Sequence, residues 1–566
     1  MLRRIKSYFG LIVILLLSYW TIAPLLIPGF FPMHDDTQVA RVQQMAKAIS
    51  DGMFPVRWVP DLGYGYGYPI FTFYGPLAYY IGVLFMFIGA DALIATKLMI
   101  ITGILLSGIG MYYLARIFWG SYGAVIAALL YVYAPYHAVN IYVRGAVGEL
   151  FGYAWIPFVF YALIKAHREE KFRYTVIAAV SYAALITSHN LTGLMVTPFV
   201  IVVLLFLTVF SPSSNKKARY YFLQFGIVLG LLISAFYWVP ALLEMDYTNV
   251  ISQVGGAADF REHFICLSQL WESQWGFGGS ARGCIDGLSF RLGKIHILLS
   301  IASILIFLLT LRKKSQELAI AVAVGVIFLL TSLFLSLDYA KPLWKAVPVF
   351  SFIQYPWRFL ILMSFFSSFL GGAVVWYIVN LPFVKTKQFI QTLFALTVSV
   401  GIVFFYARTF SPQIVFPRSA SDYTSIIALR WYTSRISDEY LPKGFSKPYS
   451  SQDVSRETFS VVSGRAVIGK TGEKTQKKSA VIEGQTASTV HVSLAYFPAW
   501  KAYIDGKETP IDIEKNGMSV VIPKGEHTLI FEYKSTDIEK IANTSSLIGI
   551  IGLVAGIIFF TRKRIF

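Results

Sequence analysis

Residues 30–52 read FFPMHDDTQVARVQQMAKAISDG. They follow an apolar run at 8–28 that is long enough to cross a bilayer. Asp35 and Asp36 therefore stand just beyond a membrane helix, where an ionised side chain is expensive and signals a role. After them Val39, Val42, Met45, Ala46 and Ile49 recur at helical spacing with polar residues opposite, and Gly52 and Pro55 close the pattern. The stretch predicts an amphipathic helix lying on the membrane with both acids at its N-terminal end. Helix amides there favour ionised carboxylates and lower their pKa. Capping by Asp36 would use only one acid. The second acid, with Pro32, His34 and Arg41 beside it, asks for more than a cap.

Outward from this stretch the chain keeps the same solvent. It has 566 residues, 56% hydrophobic and 14% charged, against about 25% charged in soluble domains. Apolar runs lie near 8–28, 92–116, 121–137, 149–166, 173–189, 190–211, 219–241, 293–311, 317–337, 355–379, 388–406 and 545–561. The net charge of +18 collects between them, at 3–6, 165–173, 216–219, 312–314 and 562–564. The positive-inside rule makes these segments cytoplasmic. The basic start and the long first run, with no small-residue cleavage site, predict an uncleaved anchor.

Parity then settles a further run at 69–90. With Asp35 outside and 165–173 inside, an odd number of crossings must separate them, so 69–90 is expected to lie along the outer surface. The expectation is a multi-pass α-helical protein of about twelve spans in the cell membrane, with both termini cytoplasmic. Three pieces fall outside: 29–91, 242–292 and 407–541. In the last, STVHVSLAYF, KAYIDGKETPIDI and GMSVVIPKGEHTLIFEYK alternate apolar and polar residues, and Asp505–Gly506 and Asn516–Gly517 are hairpin signals. These features predict an extracytoplasmic β-sandwich-like domain. The domains are thus 1–406, 407–541 and a C-terminal anchor at 542–566. Trp500 and Tyr496 are either core aromatics or a sugar platform. Cys266 and Cys284, both in the 242–292 loop, are expected to form a disulfide.

Several further polar groups are predicted at the outer rim. In 54–77, FPVRWVPDLGYGYGYPIFTFYGPL offers Arg57, a Gly-Tyr repeat over 63–68 and, six residues on, Tyr74, aromatic faces suited to stacking on a sugar or lining an isoprenoid groove. Lys97 sits in the first turns of a span. Arg144 and Glu149 fall in NIYVRGAVGEL, His189 in ITSHNL and Arg358 in QYPWRFL. Each alone reads as a salt bridge, a helix cap or a snorkelling side chain; together they lie at one depth on one face. No basic, aromatic-interleaved patch supports a nucleic-acid partner. Neither a P-loop nor a Rossmann glycine motif is present.

An N-terminal span, an outer loop whose paired acids open a juxtamembrane helix, and a second, aromatic-rich helix resemble the GT-C superfamily of membrane glycosyltransferases. Protein O-mannosyltransferases and lipid A aminoarabinose transferases share this opening. HDDTQVARVQQMAKAISDGMFPVRWVPDLGYGYGYPIFTFYGPL, FSFIQYPWRFL and QLWESQWGFGGSARGCIDGLSF resemble a prokaryotic membrane family labelled as related to 6-pyruvoyl-tetrahydropterin synthase. Nothing resembles that soluble zinc enzyme itself. YFPAWKAYIDGK resembles the outer domain of YfhO-type proteins.

The resemblance implies transfer of a sugar from a polyprenyl-phosphate carrier to a glycan, lipid or protein acceptor on the outer face, with inversion. Asp35 matches the acid usually given the catalytic role, as general base. Asp36 would orient the acceptor or ligate a metal. No cofactor is required; a divalent ion held by Asp35, Asp36 and His189 is an option, though one His and two acids make a weak signature. His34, Arg57, Tyr74, Lys97, Arg144, Glu149, His189 and Arg358 are the expected substrate-binding residues. Lys97, where relatives commonly have Arg, is the sharpest candidate for the lipid phosphate. Two other readings stand beside this one: a flippase or transporter of lipid-linked sugar, which would favour midplane charges and internal repeats, and a scaffold acting through its β-domain.

Overall fold

The computed structural model describes residues 2–209, 216–256, 258–311, 316–385 and 387–562. Each of the twelve apolar runs is helical over most of its described residues, as hydrocarbon demands of a backbone with no water to bond. Two runs are broken at a serine. The first bends by 47° between Phe9–Leu17 and Tyr19–Leu26, and 219–241 bends by 61° between Phe222–Ile233 and Ala235–Leu243. Ser18 Oγ turns back to the Ile14 carbonyl at 2.7 Å, and Ser234 Oγ to that of Gly230 at 2.8 Å. Such back-bonding bends helices.

The runs 92–116 and 121–137 meet at Gly120, which has φ 62°. A Cβ on Gly108 would lie 2.8 Å from Val132, although a straight helix would hold those positions about 36 Å apart. The two arms therefore fold back on each other. They pack against Leu360–Val379, most of whose side chains are buried. Gly123 and Gly372 let the backbones meet: a Cβ on Gly123 would stand 2.6 Å from the Gly372 oxygen.

By length and composition seven helices among the described residues can cross a membrane, with the two arms joined at Gly120 counted as one, or nine with each bent pair counted as one span. The expected count of about twelve is not reached on that measure. Phe172–Ser188 and Lys294–Leu308 are shorter than it requires. The 69–90 run forms Ile70–Phe73 and Leu77–Phe87, also too short to cross. Of the basic runs, 312–314 and 563–564 lie outside the described residues, as do the side chains of 3–6 and 216–219.

The C-terminal part carries nine strands: β1 Phe459–Ser463, β2 Ala466–Lys474, β3 Lys477–Gly484, β4 Ser488–Val492, β5 Trp500–Ile504, β6 Lys507–Thr509, β7 Asp512–Glu514, β8 Gly517–Ile522 and β9 Gly525–Tyr533. They form a four-stranded sheet in the order β1-β4-β8-β7 and a five-stranded sheet in the order β2-β3-β9-β5-β6. All pairings are antiparallel. Asp505 (φ 50°) and Gly506 (φ 81°) make the two-residue turn between β5 and β6, the geometry an Asp-Gly pair favours. The second hairpin is shifted: Glu514 pairs with Gly517, so Lys515 and Asn516 form its turn. Trp500 is 1% exposed, packed against Trp58 and Tyr533. It is a core residue and no sugar platform.

This β-domain clasps the segment that follows the first apolar run against the helices. Thr475 donates from its N–H and its Oγ1 to the Asp51 carboxylate, each at 2.7 Å. Ala495 N–H donates to the Tyr66 carbonyl at 2.9 Å. Gln38–Ser50 is consequently buried on most sides. It does not lie on a membrane surface with a free polar face.

Candidate functional site

The acid loop is pinned by backbone. His34 N–H donates to the Val143 carbonyl at 3.0 Å and Asp35 N–H to that of Arg144 at 2.9 Å. Gln38 locks the same junction, donating to the carbonyls of Asp35 (3.1 Å) and Gly145 (2.7 Å) while its oxygen accepts from the Tyr79 hydroxyl (2.5 Å). Thr37, not Asp36, holds the N-cap position, and its side chain makes no cap bond. Among the described residues neither carboxylate of the pair is in a hydrogen bond or an ion pair. Burial pushes the Asp36 carboxyl up to about 6, against the pull of Arg418. The lowering expected from the helix amides is thus outweighed by desolvation.

Directly behind the loop is a buried polar cluster. Glu149, 1% exposed, accepts from Arg144 Nη1 at 2.8 Å, from the Tyr136 hydroxyl, and from Asn140 Nδ2 at 3.4 Å. Arg358 Nε stands 3.8 Å from the same carboxylate, and Arg358 Nη1 donates to the Ile353 carbonyl at 2.7 Å. The Arg144 guanidinium also lies 4.7 Å over the Trp357 ring. Two guanidiniums share one carboxylate, so the cluster carries an excess positive charge. The acid loop is tied to it by the Asp35–Arg144 backbone bond, and Asp35 is within electrostatic reach of Arg144, Tyr74 and Tyr79.

Tyr74 and His189 complete this side. Both pack on Gly148, where an added Cβ would come within 3.6 Å of Tyr74 and 3.5 Å of His189. His189 Nδ1 pairs with Thr192 Oγ1 at 2.8 Å. Among the described residues no three His, Cys, Asp or Glu side chains are grouped to hold a metal ion. Asp35, Asp36 and His189 therefore do not form the ligand trio considered above.

Two expected members stand elsewhere. Arg57 donates to the Phe236 carbonyl (2.9 Å) and Asn543 Oδ1 (2.8 Å) and faces Glu539 at 3.4 Å. It belongs to the joint between the β-domain and the helices. Lys97 Nζ donates to the Ile27 carbonyl at 2.6 Å, closing the end of Tyr19–Leu26. Its ammonium is committed to a helix terminus, the ordinary use of a cation there.

The structure adds residues that periodicity had hidden. Arg41, 3% exposed, donates to Ser437 Oγ at 2.7 Å and to the Tyr79 hydroxyl at 3.3 Å, and lies 4.5 Å over the Tyr74 ring. Ser437 and the neighbouring Glu439 come from the segment that leads into the β-domain. Burial raises the Glu439 carboxyl, with Arg41 opposing and Asp35 adding to the shift. The available signal was a charged residue within two turns of the acids. His34 Nε2 meets the Phe277 carbonyl at 2.8 Å, bringing the 242–292 loop to the acid pair. In that loop Cys266 and Cys284 are bonded, with Cα atoms 5.6 Å apart.

With this geometry stands a clear kinship. Residues 71–409, more than half of the chain, match the model of a family described as a 6-pyruvoyl-tetrahydropterin synthase related domain, membrane protein. The chain belongs to that family. An uncharacterized protein of Lactococcus lactis subsp. cremoris (strain MG1363) is 24% identical over 209 residues, 36% of this chain and 34% of that protein. The match thus spans about a third of the relative's length. Among solved structures, Archaeoglobus fulgidus AglB, an archaeal oligosaccharyltransferase in complex with an inhibitory peptide and a dolichol-phosphate, is similar with a TM-score of 0.48 and 15% identity, over 80% of this chain and 62% of that one. The Archaeoglobus fulgidus oligosaccharyltransferase tethered to an acceptor peptide gives 0.46 and 14%, over 80% and 61%. The arabinofuranosyltransferase AftD from Mycobacteria gives 0.40 and 15%, over 74% and 29%.

Proposed function

Starting from membership of this membrane family, we propose that the chain is a glycosyltransferase of the GT-C type. It moves a sugar from a polyprenyl-phosphate donor to a glycan, lipid or protein acceptor on the extracytoplasmic face of the cell membrane. Residues 1–406 form the catalytic module, 407–541 the outer domain and 542–566 an anchor, with both termini in the cytoplasm. The observation that carries the reading is the pairing of two opposed features. A carboxylate pair free of ion pairs is pinned by backbone, through Asp35 N–H and the Arg144 carbonyl, to a buried cluster holding two guanidiniums for one carboxylate.

The chemistry follows from those charges. Asp35 takes the proton from an acceptor hydroxyl as that oxygen forms a bond to the anomeric carbon. The bond from that carbon to the phosphate oxygen breaks, and its electron pair leaves with the lipid phosphate. Attack opposite the leaving group inverts the centre. Arg144 and Arg358, which share one carboxylate, meet the developing phosphate charge; fixed cations in a water-poor site stabilise such charge strongly. Asp36 orients the acceptor. Tyr74 and His189 line the sugar, and Glu149 sets the two arginines in place.

The test is turnover of the full chain in nanodiscs, with radiolabelled polyprenyl-phosphate sugars and membrane extract as acceptor. Consumption of one donor with label passing to an acceptor supports the proposal. Movement of lipid-linked sugar across the bilayer with no donor consumed would replace it with a flippase. Turnover lost only on trimming 407–541, and kept in Asp35→Asn, would make the β-domain the working part.

A further inference from the structure

Residues 351–358 read SFIQYPWR, and the chain reverses inside them. Gln354 has φ 67° and ψ −52°, and the Tyr355 N–H donates across it to the Ile353 carbonyl at 2.7 Å. This is the γ-turn of positive φ, a rare and strained geometry. Glycine takes such a φ freely, and a residue with a side chain does not. Strain of this kind persists only where the surroundings hold it, and it is commonest at working sites.

The turn sets Arg358 in place by bringing two acceptors to one atom. Arg358 Nη1 donates to the Ile353 carbonyl at 2.7 Å and to Gln354 Oε1 at 2.8 Å. A guanidinium only donates and a carbonyl only accepts, so the Gln354 amide has one possible orientation. Its oxygen faces Arg358 and its Nε2 donates to the Gln253 carbonyl, also at 2.8 Å. The Tyr355 ring centre lies 5.0 Å from the same guanidinium, and the Glu149 carboxylate stands 3.8 Å from Nε. Among the described residues Arg358 Nη2 makes no hydrogen bond. The fork is thus fixed at one arm and open at the other. Arg144 is held in the same manner, bonding through Nη1 to Tyr136, Asn140 and Glu149.

Gln354 is itself held from outside the cluster. Gln253 closes the short helix Asn249–Gln253. Asn249 donates from its N–H to the Leu441 carbonyl at 3.0 Å and from Nδ2 to the Pro442 carbonyl at 3.2 Å. The direction of Arg358 is therefore tied through one amide to the segment that leads into the β-domain. A need for the turn alone does not account for a glutamine, since glycine would make it without strain. What the side chain adds is a neutral acceptor, which fixes the fork and leaves its charge intact. A carboxylate there would hold Nη1 equally well and cancel that charge.

We propose that Gln354 is a positioning residue that aims the open edge of Arg358 at the phosphate of a lipid phosphate. Its place in sugar transfer rests on the transferase reading above; the aiming at a phosphate does not. The full chain in nanodiscs is titrated with geranylgeranyl phosphate and, separately, with geranylgeraniol, and bound lipid is counted by native mass spectrometry. Wild type should bind the phosphate more tightly than the alcohol. Gln354→Gly takes the turn freely but has no amide. It should lower phosphate affinity about tenfold, the worth of one hydrogen bond to a charged group, and leave alcohol affinity unchanged. Gln354→Glu, which sets a negative charge against Arg358, should lower phosphate affinity further. A residue that only kept the fold would weaken both lipids alike, and that result would overturn the proposal. So would wild-type phosphate affinity in Gln354→Gly, or a wild type with no preference for the phosphate. A preference lost in Gln354→Gly, in a protein that transfers no sugar, would keep the role of Gln354 and sink the transferase. Sugar transfer by wild type, with phosphate affinity unchanged in Gln354→Gly, would do the reverse.

Discussion

Glu244 gives a test of how the β-domain is held down. It is 1% exposed and lies just past Ala235–Leu243, where it accepts from Thr536 Oγ1. Glu539 and Arg57 share the joint, with Tyr533 donating to Glu539 at 2.8 Å. Two carboxylates thus face one guanidinium, and Glu244 Oε2 has no partner among the described residues. Burial pushes the Glu244 carboxyl from 4.5 to about 7, Thr536 opposes, Glu539 adds, and Arg57 opposes.

A raised folded-state pKa means the folded joint binds the proton more tightly than the open one. Its contribution is full below the unfolded value of 4.5 and fades as pH rises through about 7. Roughly 2.5 pH units at 1.36 kcal/mol each is about 3 kcal/mol, or about 300-fold in the opening constant over the whole range, of which about 100-fold falls between pH 5 and pH 8.5. Hydrogen exchange of peptides covering 240–250 and 533–545, in nanodiscs and corrected for intrinsic rates, should show local opening increase about 100-fold between pH 5 and pH 8.5. Glu244→Gln, which keeps the neutral form at every pH, should hold the low-pH protection throughout. A wild type with no slope, or a Glu244→Gln variant with the wild-type slope, would refute the reasoning.

Other perturbations follow from the site. Asp36 titrates near 6 because burial outweighs Arg418, so turnover that needs its ionised form should fall about tenfold per pH unit below that value; Arg418→Gln should move the limb upward, and Asp36→Asn should abolish it. Glu149→Gln leaves Arg144 and Arg358 buried without their carboxylate and should cost about 3–5 kcal/mol, read as a lower unfolding midpoint in detergent. Gly75→Ala would place a Cβ 1.9 Å from the Ser188 oxygen, so it should cost about 3 kcal/mol by overpacking and separate Tyr74 from His189, with activity lost at permissive temperature.

The membrane helices were legible because apolar runs and hydrocarbon leave no other backbone solution. Gly120 could not be distinguished in advance from the ends of two independent spans, since a reversal by one φ leaves no charge or proline behind. In the β-domain, β4 to β9 announced themselves by alternation. β2 is largely exposed, and its turn to β3 uses Thr475 and Gln476 held by Asp51, so neither pattern nor turn chemistry gave it away.

The site divides the same way. Asp35, Arg144, Glu149 and Arg358 come from segments expected on one face of the membrane; in the structure Asp35 is bonded through its backbone to Arg144, which shares Glu149 with Arg358. Lys97 and Arg57 were expected at the same depth and go to other partners, because an expected depth says nothing of rotation about the helix axis or of a carbonyl waiting nearby. Arg41 and Glu439 depend on the segment leading into the β-domain folding back onto Gln38–Ser50, a long-range contact with no local mark in the chain.

The central claim rests on Asp35, and single-turnover transfer in nanodiscs tests it most directly, with donor affinity measured alongside. Asp35→Asn keeps the shape and the backbone bond to Arg144 but cannot take a proton. It should lose about 10²–10⁴-fold in the chemical step with donor affinity unchanged. A rate within a few-fold of wild type would contradict the assignment of Asp35 as the base and, with it, the proposed mechanism.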